Sequence, residues 1–122
     1  MVRIADEVGA KQGQRPLVVV DNTLLGPFAQ RPIEHKVDLC MTSLTKYCGG
    51  HSDLLAGGIS GRTELIDQLR MQRTTWGNHL DPYTSWLVLR SLESVAVRTE
   101  RAMANARTVA EYLRNHPKVA GV

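Results

Sequence analysis

A short run of apolar, β-branched residues with polar residues directly after it constrains the fold of this chain most. Leu17–Val20 is continuously apolar and is followed by the polar residues 21–23. Such a run is typical of a strand covered on both faces, as in a parallel sheet. Val37–Ser43 predicts a second strand, and Leu54–Ser60 predicts a third that its glycines make less regular.

Helical patterns lie on both sides of these strands. Residues 3–12 carry apolar side chains at helical spacing, and Gly13 is expected to end that helix. Residues 24–36 contain a glycine and two prolines, which predicts a loop with at most a short helix.

The second half of the chain is predicted to be mainly helical. Thr63 is expected to cap one helix, and Asp81, which precedes a proline, is expected to cap another. A break near Ala96 separates that helix from a long one, which ends at residues 115–117. Val119–Val122 is predicted to begin a further strand. The residues predicted to face inward in the three helices are Leu65, Ile66 and Leu69, then Trp86, Leu89 and Leu92, then Met103, Ala106, Val109, Ala110 and Leu113.

The order of the predicted elements indicates an α/β domain built in layers. Three strands make a thin sheet for this class, because parallel strands need neighbours at both edges and cover on both faces. The chain is therefore expected to be part of a larger domain.

Composition and charge narrow the function classes. With 122 residues, 43% of them hydrophobic and 22% charged, the chain fits one globular domain and not a disordered segment. The net charge of +3 is spread without a basic block and only 5% of residues are aromatic, so a small basic nucleic-acid-binding module is the weaker alternative. No apolar stretch is long enough to span a membrane, and the chain does not begin with an apolar signal region. Together these features predict a soluble cytoplasmic protein.

The cysteines predict neither a disulfide framework nor a metal centre. There are two of them, Cys40 and Cys48. Cys40 lies in an apolar run and is expected to be a small core residue. Their spacing relative to His51 and Asp53 matches no standard zinc pattern, so no metal is expected.

Lys46 is the residue whose surroundings indicate chemistry. It follows the second predicted strand, with Ser43 and Thr45 before it and a glycine pair after it. A lone lysine is usually a solvated surface residue. At the end of a buried strand, among polar groups, a lysine amine can instead form a Schiff base (an internal aldimine) with pyridoxal phosphate (PLP) and then move protons at the substrate α-carbon.

Asp21 strengthens that hypothesis. PLP withdraws electrons effectively only while its ring nitrogen is protonated, and a carboxylate paired with the nitrogen keeps the proton there. Asp21 comes just after the first predicted strand, at the end where open α/β sheets bind ligands. A turn formed by Asp21 and Asn22 is the alternative, and both roles are compatible.

Ser43 and Thr45 are candidate phosphate ligands. In an extended segment, residues two apart point to the same side. Hydroxyl groups beside a glycine-rich turn can donate hydrogen bonds to a phosphate. Capping or turn formation is at least as common a role for them.

Taken together, these segments resemble the Cys/Met-metabolism family of PLP enzymes, which includes cystathionine γ-synthase, cystathionine β- and γ-lyases, methionine γ-lyase and O-acetylhomoserine sulfhydrylase. Residues 18–23 resemble the family segment that ends in the pyridinium-binding aspartate. Residues 43–53 resemble its Ser-x-Thr-Lys-Tyr…Gly-His-x-Asp signature, and residues 87–98 resemble the helix that leads to the C-terminal subdomain. The match covers essentially the whole chain.

The resemblance implies a fold for this chain. The chain would be part of the large domain of fold type I (aspartate-aminotransferase-like) PLP-dependent transferases, with three α/β/α layers followed by long helices. Residues 1–117 would be the central part of the PLP-binding large domain, and residues 118–122 would begin the C-terminal subdomain. Family members are far longer. Their ring-stacking tyrosine, upstream phosphate loop, neighbouring-subunit phosphate ligands and carboxylate-binding arginine have no counterpart among these residues.

The resemblance also implies roles and a function. Lys46 would be the Schiff-base lysine, Asp21 the partner of the ring nitrogen, Thr23 a contact of the ring, and Ser43 and Thr45 the phosphate ligands. The implied function is a PLP-dependent C–S lyase or transferase of trans-sulfuration. It would act on a small-molecule amino acid within a homotetramer, with no nucleic-acid or membrane partner. The alternative is a non-catalytic, truncated remnant of such an enzyme without cofactor.

Overall fold

The computed structural model describes residues 1–122 and has a mixed sheet of three strands with helices packed around it. A short 3-10 helix, Pro32–His35, precedes the central strand. The helices and strands are, in chain order, α1 (Val2–Gln12), β1 (Val19–Asp21), α2 (Gly26–Ala29), β2 (Leu39–Ser43), β3 (Gly57–Gly61), α3 (Thr63–Trp76), α4 (Pro82–Leu92) and α5 (Val95–Arg114). None of these helices combines the length and the apolar character needed to cross a membrane.

The sheet has the order β1-β2-β3, with β2 in the centre. β1 runs parallel to β2, and Val20 pairs with Cys40. β3 runs antiparallel to β2, and Ser60 pairs with Cys40. The chain returns from β2 to β3 without a crossover helix, and such a direct return produces an antiparallel pair. The three predicted strands are therefore present, in a sheet that is mixed and not purely parallel.

Within these 122 residues the first strand lacks the cover on both faces that its apolar run favours. Val18 is buried just before β1, Val20 is half-buried, and Val19 between them is 56% exposed. Successive side chains point to opposite faces of a strand. Only one face of β1 is therefore covered, by a small cluster in which Ala5 of α1 and Val37 pack with Val18.

The third strand begins at Gly57 and not at Leu54 as predicted. Leu54 instead packs against Leu87 and Val88 of α4. The carbonyl of Ala56 accepts hydrogen bonds from the backbone N–H groups of the turn after β2. The residues before Gly57 thus connect the sheet to the loop that follows β2.

The helix boundaries follow the predictions closely. Gly13 ends α1 in the left-handed conformation, with φ 74°. Asp81 caps α4 by accepting the backbone N–H of Thr84 at 2.9 Å. Thr63 is the first residue of α3, and the cap residue is Arg62, so the predicted cap is wrong by one position. The break before α5 lies at residues 93–94, slightly earlier than the predicted one near Ala96.

The inward face of α4 differs from the prediction. Trp86, Leu89 and Leu92 are 53%, 66% and 39% exposed. Leu87 and Val88 are the apolar residues of α4 that are buried. Residues 86–89 are all apolar, so helical periodicity alone does not select a face. The position of Leu54 selects it, because that side chain packs against Leu87 and Val88.

The predicted inward face of α5 is also wrong for most of its length. Val95 and Thr99, in its first turns, are the buried residues. Met103 and Val109 are 48% and 55% exposed, Ala106 is exposed, and Ala110 and Leu113 are half-buried. Val119–Val122 forms no strand. The apolar pattern beyond Thr99 therefore has too few partners within this chain to bury it.

A buried carboxylate joins the segments at the amino end of the sheet. Asp38, just before β2, is 3% exposed. It accepts the backbone N–H of Val18 at 2.7 Å and forms ion pairs with Arg15 at 2.7 Å and Arg62 at 3.2 Å. The hydrogen bonds from Val18 and then from Arg15 hold the pKa of Asp38 below its usual value. One side chain thus links the entry to β1, the start of β2 and the exit from β3.

Candidate active site

The parallel strands β1 and β2 end side by side, and three of the predicted site residues lie at that edge. Asp21 is the last residue of β1 and Ser43 the last residue of β2. The hydroxyl oxygen of Thr23 accepts the backbone N–H of Ser43 at 2.8 Å. The backbone N–H of Asn22 donates to the carbonyl of Met41 at 2.8 Å. Asp21, Thr23 and Ser43 are therefore held together by the pairing of the two strands.

Asp21 presents an ionised carboxylate to solvent at this edge. Its side chain accepts the backbone N–H of Thr23 at 2.9 Å. Hydrogen bonding by Thr23, first through its side chain and then through its backbone, lowers the pKa of Asp21. The turn expected after the first strand, with Asp21 as a turn-forming residue, is thus present. It stabilises the negative charge that could pair with a protonated ring nitrogen.

Lys46 projects from a tight turn directly after β2. Its backbone N–H donates to the carbonyl of Ser43 at 3.3 Å, and its carbonyl accepts the N–H of Gly50 at 2.7 Å. Gly50 has φ 75°, a conformation that favours glycine. The Lys46 side chain is exposed and borders an open cleft of about 1100 Å³. Its amine is therefore accessible to a ligand in that cleft.

Thr45 has a structural contact that the sequence does not reveal. Its hydroxyl accepts the backbone N–H of Ala56 at 3.0 Å and donates to the carbonyl of Ala56 at 3.3 Å. Thr45 thereby fastens the Lys46 turn to the segment before β3. A hydroxyl has one proton, so donation to a phosphate would replace the longer of these two bonds. Ser43 binds Thr23 through its backbone N–H, which leaves its own hydroxyl available.

The cleft brings together only some of the predicted residues. Thr45 and Lys46 line it, and so does Leu24, the residue after Thr23. Asp21, Thr23 and Ser43 are not among its lining residues and lie at the adjoining edge of the sheet. The site therefore consists of a cleft that carries the amine and a strand edge that carries the carboxylate and a free hydroxyl.

Arg98 is a cleft residue that sequence reasoning missed. It lies in α5, more than fifty positions from Lys46, and donates to the carbonyls of Tyr47 at 2.7 Å and Cys48 at 3.1 Å. An arginine on a predicted amphipathic helix gives no sign of such a contact, because most are solvated. Cys48 beneath it is buried, which raises the pKa of its thiol, although the charge of Arg98 opposes the shift.

This fold is that of the α/β large domain of enzymes that depend on PLP. The family model for the Cys/Met metabolism PLP-dependent enzyme matches residues 2–122, and the chain belongs to this family. The predicted family and fold class are confirmed, and PLP is the cofactor on which this family depends.

Curated relatives support the same assignment. The chain is 38% identical over 122 residues to a chloroplastic cystathionine beta-lyase of Arabidopsis thaliana, covering 99% of this chain and 26% of the relative. It is 39% identical over 107 residues to an L-methionine gamma-lyase of Treponema denticola, covering 86% of this chain and 27% of the relative. The chain thus spans about a quarter of the length of the curated relatives it matches.

Solved structures show the same fold. The cystathionine gamma-lyase of yeast superimposes with a TM-score of 0.85 at 28% identity, covering 96% of this chain and 34% of that one. The cystathionine gamma synthase of Xanthomonas oryzae, solved with aminoacrylate and cysteine, superimposes with a TM-score of 0.84 at 36% identity, covering 95% and 30%. Both matches extend over nearly the whole chain.

Proposed function

We propose that this chain carries the cofactor-attachment segment of a PLP-dependent C–S lyase or transferase that acts on sulfur-containing amino acids, and that Lys46 attaches the cofactor. The observation that carries the proposal is the exposed amine of Lys46 in an open cleft, one turn beyond the strand whose parallel neighbour ends in the ionised Asp21. PLP supplies an electron sink that stabilises negative charge at the α-carbon of a bound amino acid.

The donor set fits that cofactor. A phosphorylated pyridine aldehyde needs an amine for covalent attachment, an anion at its ring nitrogen and hydrogen-bond donors at its phosphate. Lys46 offers the amine, Asp21 the anion and Ser43 a free hydroxyl. Thr45 offers a second donor if it exchanges its bond to Ala56.

Each residue then has a defined task. Asp21 would hold a proton on the ring nitrogen, and Thr23, which would contact the ring, keeps the Asp21 carboxylate ionised through its hydrogen bonding. Ser43 and Thr45 bind the phosphate. Lys46 would hold the cofactor through its amine, and the same amine could move a proton at the substrate α-carbon. Lysine suits this task because its amine can be neutral and nucleophilic, whereas an arginine stays protonated.

The proposal extends to domain organisation and partners. Residues 1–117 form the central part of the PLP-binding large domain, and residues 118–122 begin the C-terminal subdomain. The substrate is a small sulfur-containing amino acid, and the assembly is a homo-oligomer. The relatives include both a methionine gamma-lyase and a cystathionine beta-lyase, so we propose the class of C–S lyase or transferase and no single reaction within it.

Cofactor attachment tests the proposal directly. Purified protein is incubated with PLP, reduced with borohydride and mapped by peptide mass spectrometry. We expect the reduced cofactor on Lys46, with little on exposed Lys118, and a visible absorbance band before reduction. Lys46→Arg should abolish the label, and Lys118→Arg, the matched control, should leave it unchanged.

The two alternatives give different results in that experiment. Label on another lysine with Lys46 unmodified would refute the assignment of Lys46. No visible band and no label at any PLP concentration would favour the non-catalytic alternative without cofactor.

A further inference from the structure

Arg98 connects the loop after Lys46 to the junction of α4 and α5. Its Nη1 donates to the carbonyl of Tyr47 at 2.7 Å, and its Nη2 donates to the carbonyls of Cys48 at 3.1 Å and Ser91 at 2.7 Å. Its Nε donates to the hydroxyl of Ser94 at 3.1 Å. One side chain thus joins two backbone carbonyls of the Lys46 turn to two groups at the helix junction.

Only an arginine can make this set of bonds. Guanidinium carries five N–H donors in a rigid plane, whereas the ammonium group of lysine is a single point with three donors. Hydrogen bonds from a charged donor are stronger than those between neutral groups. The Tyr47 and Cys48 carbonyls accept two of them directly after Lys46 in the chain. The bonds therefore restrain the backbone from which the Lys46 side chain projects.

Gly50 leaves the space that this guanidinium fills. A Cβ atom added at Gly50 would collide with Nη1 and Cζ of Arg98. The far end of an arginine usually moves aside easily, but four hydrogen bonds hold this one. A side chain at Gly50 would therefore displace Arg98 from the turn.

We infer that Arg98 is a positioning residue that sets the direction of the Lys46 amine in the cleft through the carbonyls of Tyr47 and Cys48. The inference rests on the proposed function, since it assigns Arg98 a role in cofactor attachment. Arg98 lines the same cleft as Lys46. Misplacing a reacting group by about 1 Å can lower a rate as much as 100-fold. Loss of the restraint should therefore slow covalent attachment more than it weakens PLP binding.

The test measures covalent attachment at Lys46 as a function of PLP concentration in the purified protein. Peptide mapping after borohydride reduction separates the maximal rate of attachment from the concentration that gives half that rate. Arg98→Lys should lower the maximal rate about tenfold and leave the half-saturating concentration within about twofold, because the phosphate and ring contacts are intact. Arg101→Lys, at an exposed position of the same helix, should change neither value.

A second pair of variants tests the contact from the other side. Gly50→Ala should reproduce the loss by displacing Arg98. Gly77→Ala is its matched control, since Gly77 has φ 74° and open space where the Cβ would lie, against φ 75° and the guanidinium at Gly50. Gly77→Ala carries the strain of an alanine at positive φ without any contact, whereas the Cβ at Gly50 would also lie 3.3 Å from the Tyr47 carbonyl oxygen. A loss in Gly50→Ala that matches the loss in Arg98→Lys and is absent from Gly77→Ala is the expected result.

The outcomes separate this inference from the proposed function. Selective label on Lys46 with an unchanged rate in both Arg98→Lys and Gly50→Ala overturns the role of Arg98 and leaves the proposed function standing. Failure of the wild-type protein to label Lys46 overturns both. Loss of the cooperative thermal transition in both variants would show that Arg98 acts on stability and overturns the positioning role.

Discussion

Replacing the buried carboxylate of Asp38 should destabilise the fold by an amount that its contacts allow us to work out. Asp38→Ala leaves the backbone N–H of Val18 without its acceptor at 2.7 Å, and a buried unsatisfied donor costs about 1–3 kcal/mol. The ion pairs with Arg15 and Arg62 add little, because these side chains are 31% and 56% exposed and water screens them. We therefore expect the free energy of unfolding to fall by about 1–3 kcal/mol.

Urea unfolding measures this loss. With a urea dependence of about 1–3 kcal/mol per molar for small proteins, the midpoint should fall by about 1 M. Asp67→Ala is the matched control, since Asp67 forms an exposed pair with Arg70 within α3 and its loss should cost less than about 0.5 kcal/mol. An Asp38→Ala variant as stable as the wild type at neutral pH would refute the reasoning.

The difference between wild type and Asp38→Ala should also depend on pH. The folded-state pKa of Asp38 lies below its unfolded value, so the carboxylate contributes stability above about pH 3.9 and loses it as the pH falls through the folded-state pKa. The two unfolding free energies should therefore converge in acid. A difference that widens as the pH falls would contradict the role of the charge.

Three further outcomes follow from the contacts described. Asp21→Asn in an active enzyme should keep the fold and greatly lower turnover, because a neutral amide cannot hold the ring nitrogen protonated; unchanged turnover would leave Asp21 only its turn with Thr23. Thr45→Val should lower the free energy of unfolding by about 1–2 kcal/mol in urea, because the backbone N–H of Ala56 loses its acceptor while the Ala56 carbonyl keeps its backbone partners; equal stability would mean that this contact is dispensable. Protein of these 122 residues should be oligomeric or aggregation-prone, because the edge of β1 is unpaired and Val19 is 56% exposed, and it should bind PLP weakly with negligible lyase activity, because Asp21, Ser43 and Thr45 give only part of the cofactor's contacts; a monomer in sedimentation with steady turnover would contradict this.

The chemistry of the candidate site could be predicted from sequence because it lies in local segments. Asp21 and Lys46 each follow a short apolar run, and strand ends are where open α/β sheets bind ligands. Strand pairing then aligned Asp21 and Ser43 at one edge. The positions of helix ends could also be predicted from sequence, because Gly13 and Asp81 act through residues close to them in the chain.

Contacts between distant segments could not be predicted in the same way. Nothing local distinguishes Arg98 from the other arginines of α5, and its bonds to Tyr47 and Cys48 arise only when α5 docks against the turn after β2. Asp38 likewise falls within a predicted strand, and its partners come from two other segments, the linker before β1 and the residue after β3.

The sequence by itself determined which residues could carry chemistry, where most of the strands and helices lie and to which family the chain is related, because these follow from short patterns of side chains. The tertiary structure decided which face of α4 is buried, that β3 returns antiparallel, and that Thr45 and Arg98 hold the turn bearing Lys46. The physical reason is that burial and hydrogen bonding each depend on two residues that can be far apart in the sequence. A residue such as Leu87 or Arg98 acquires its role only from the partner that packing brings to it.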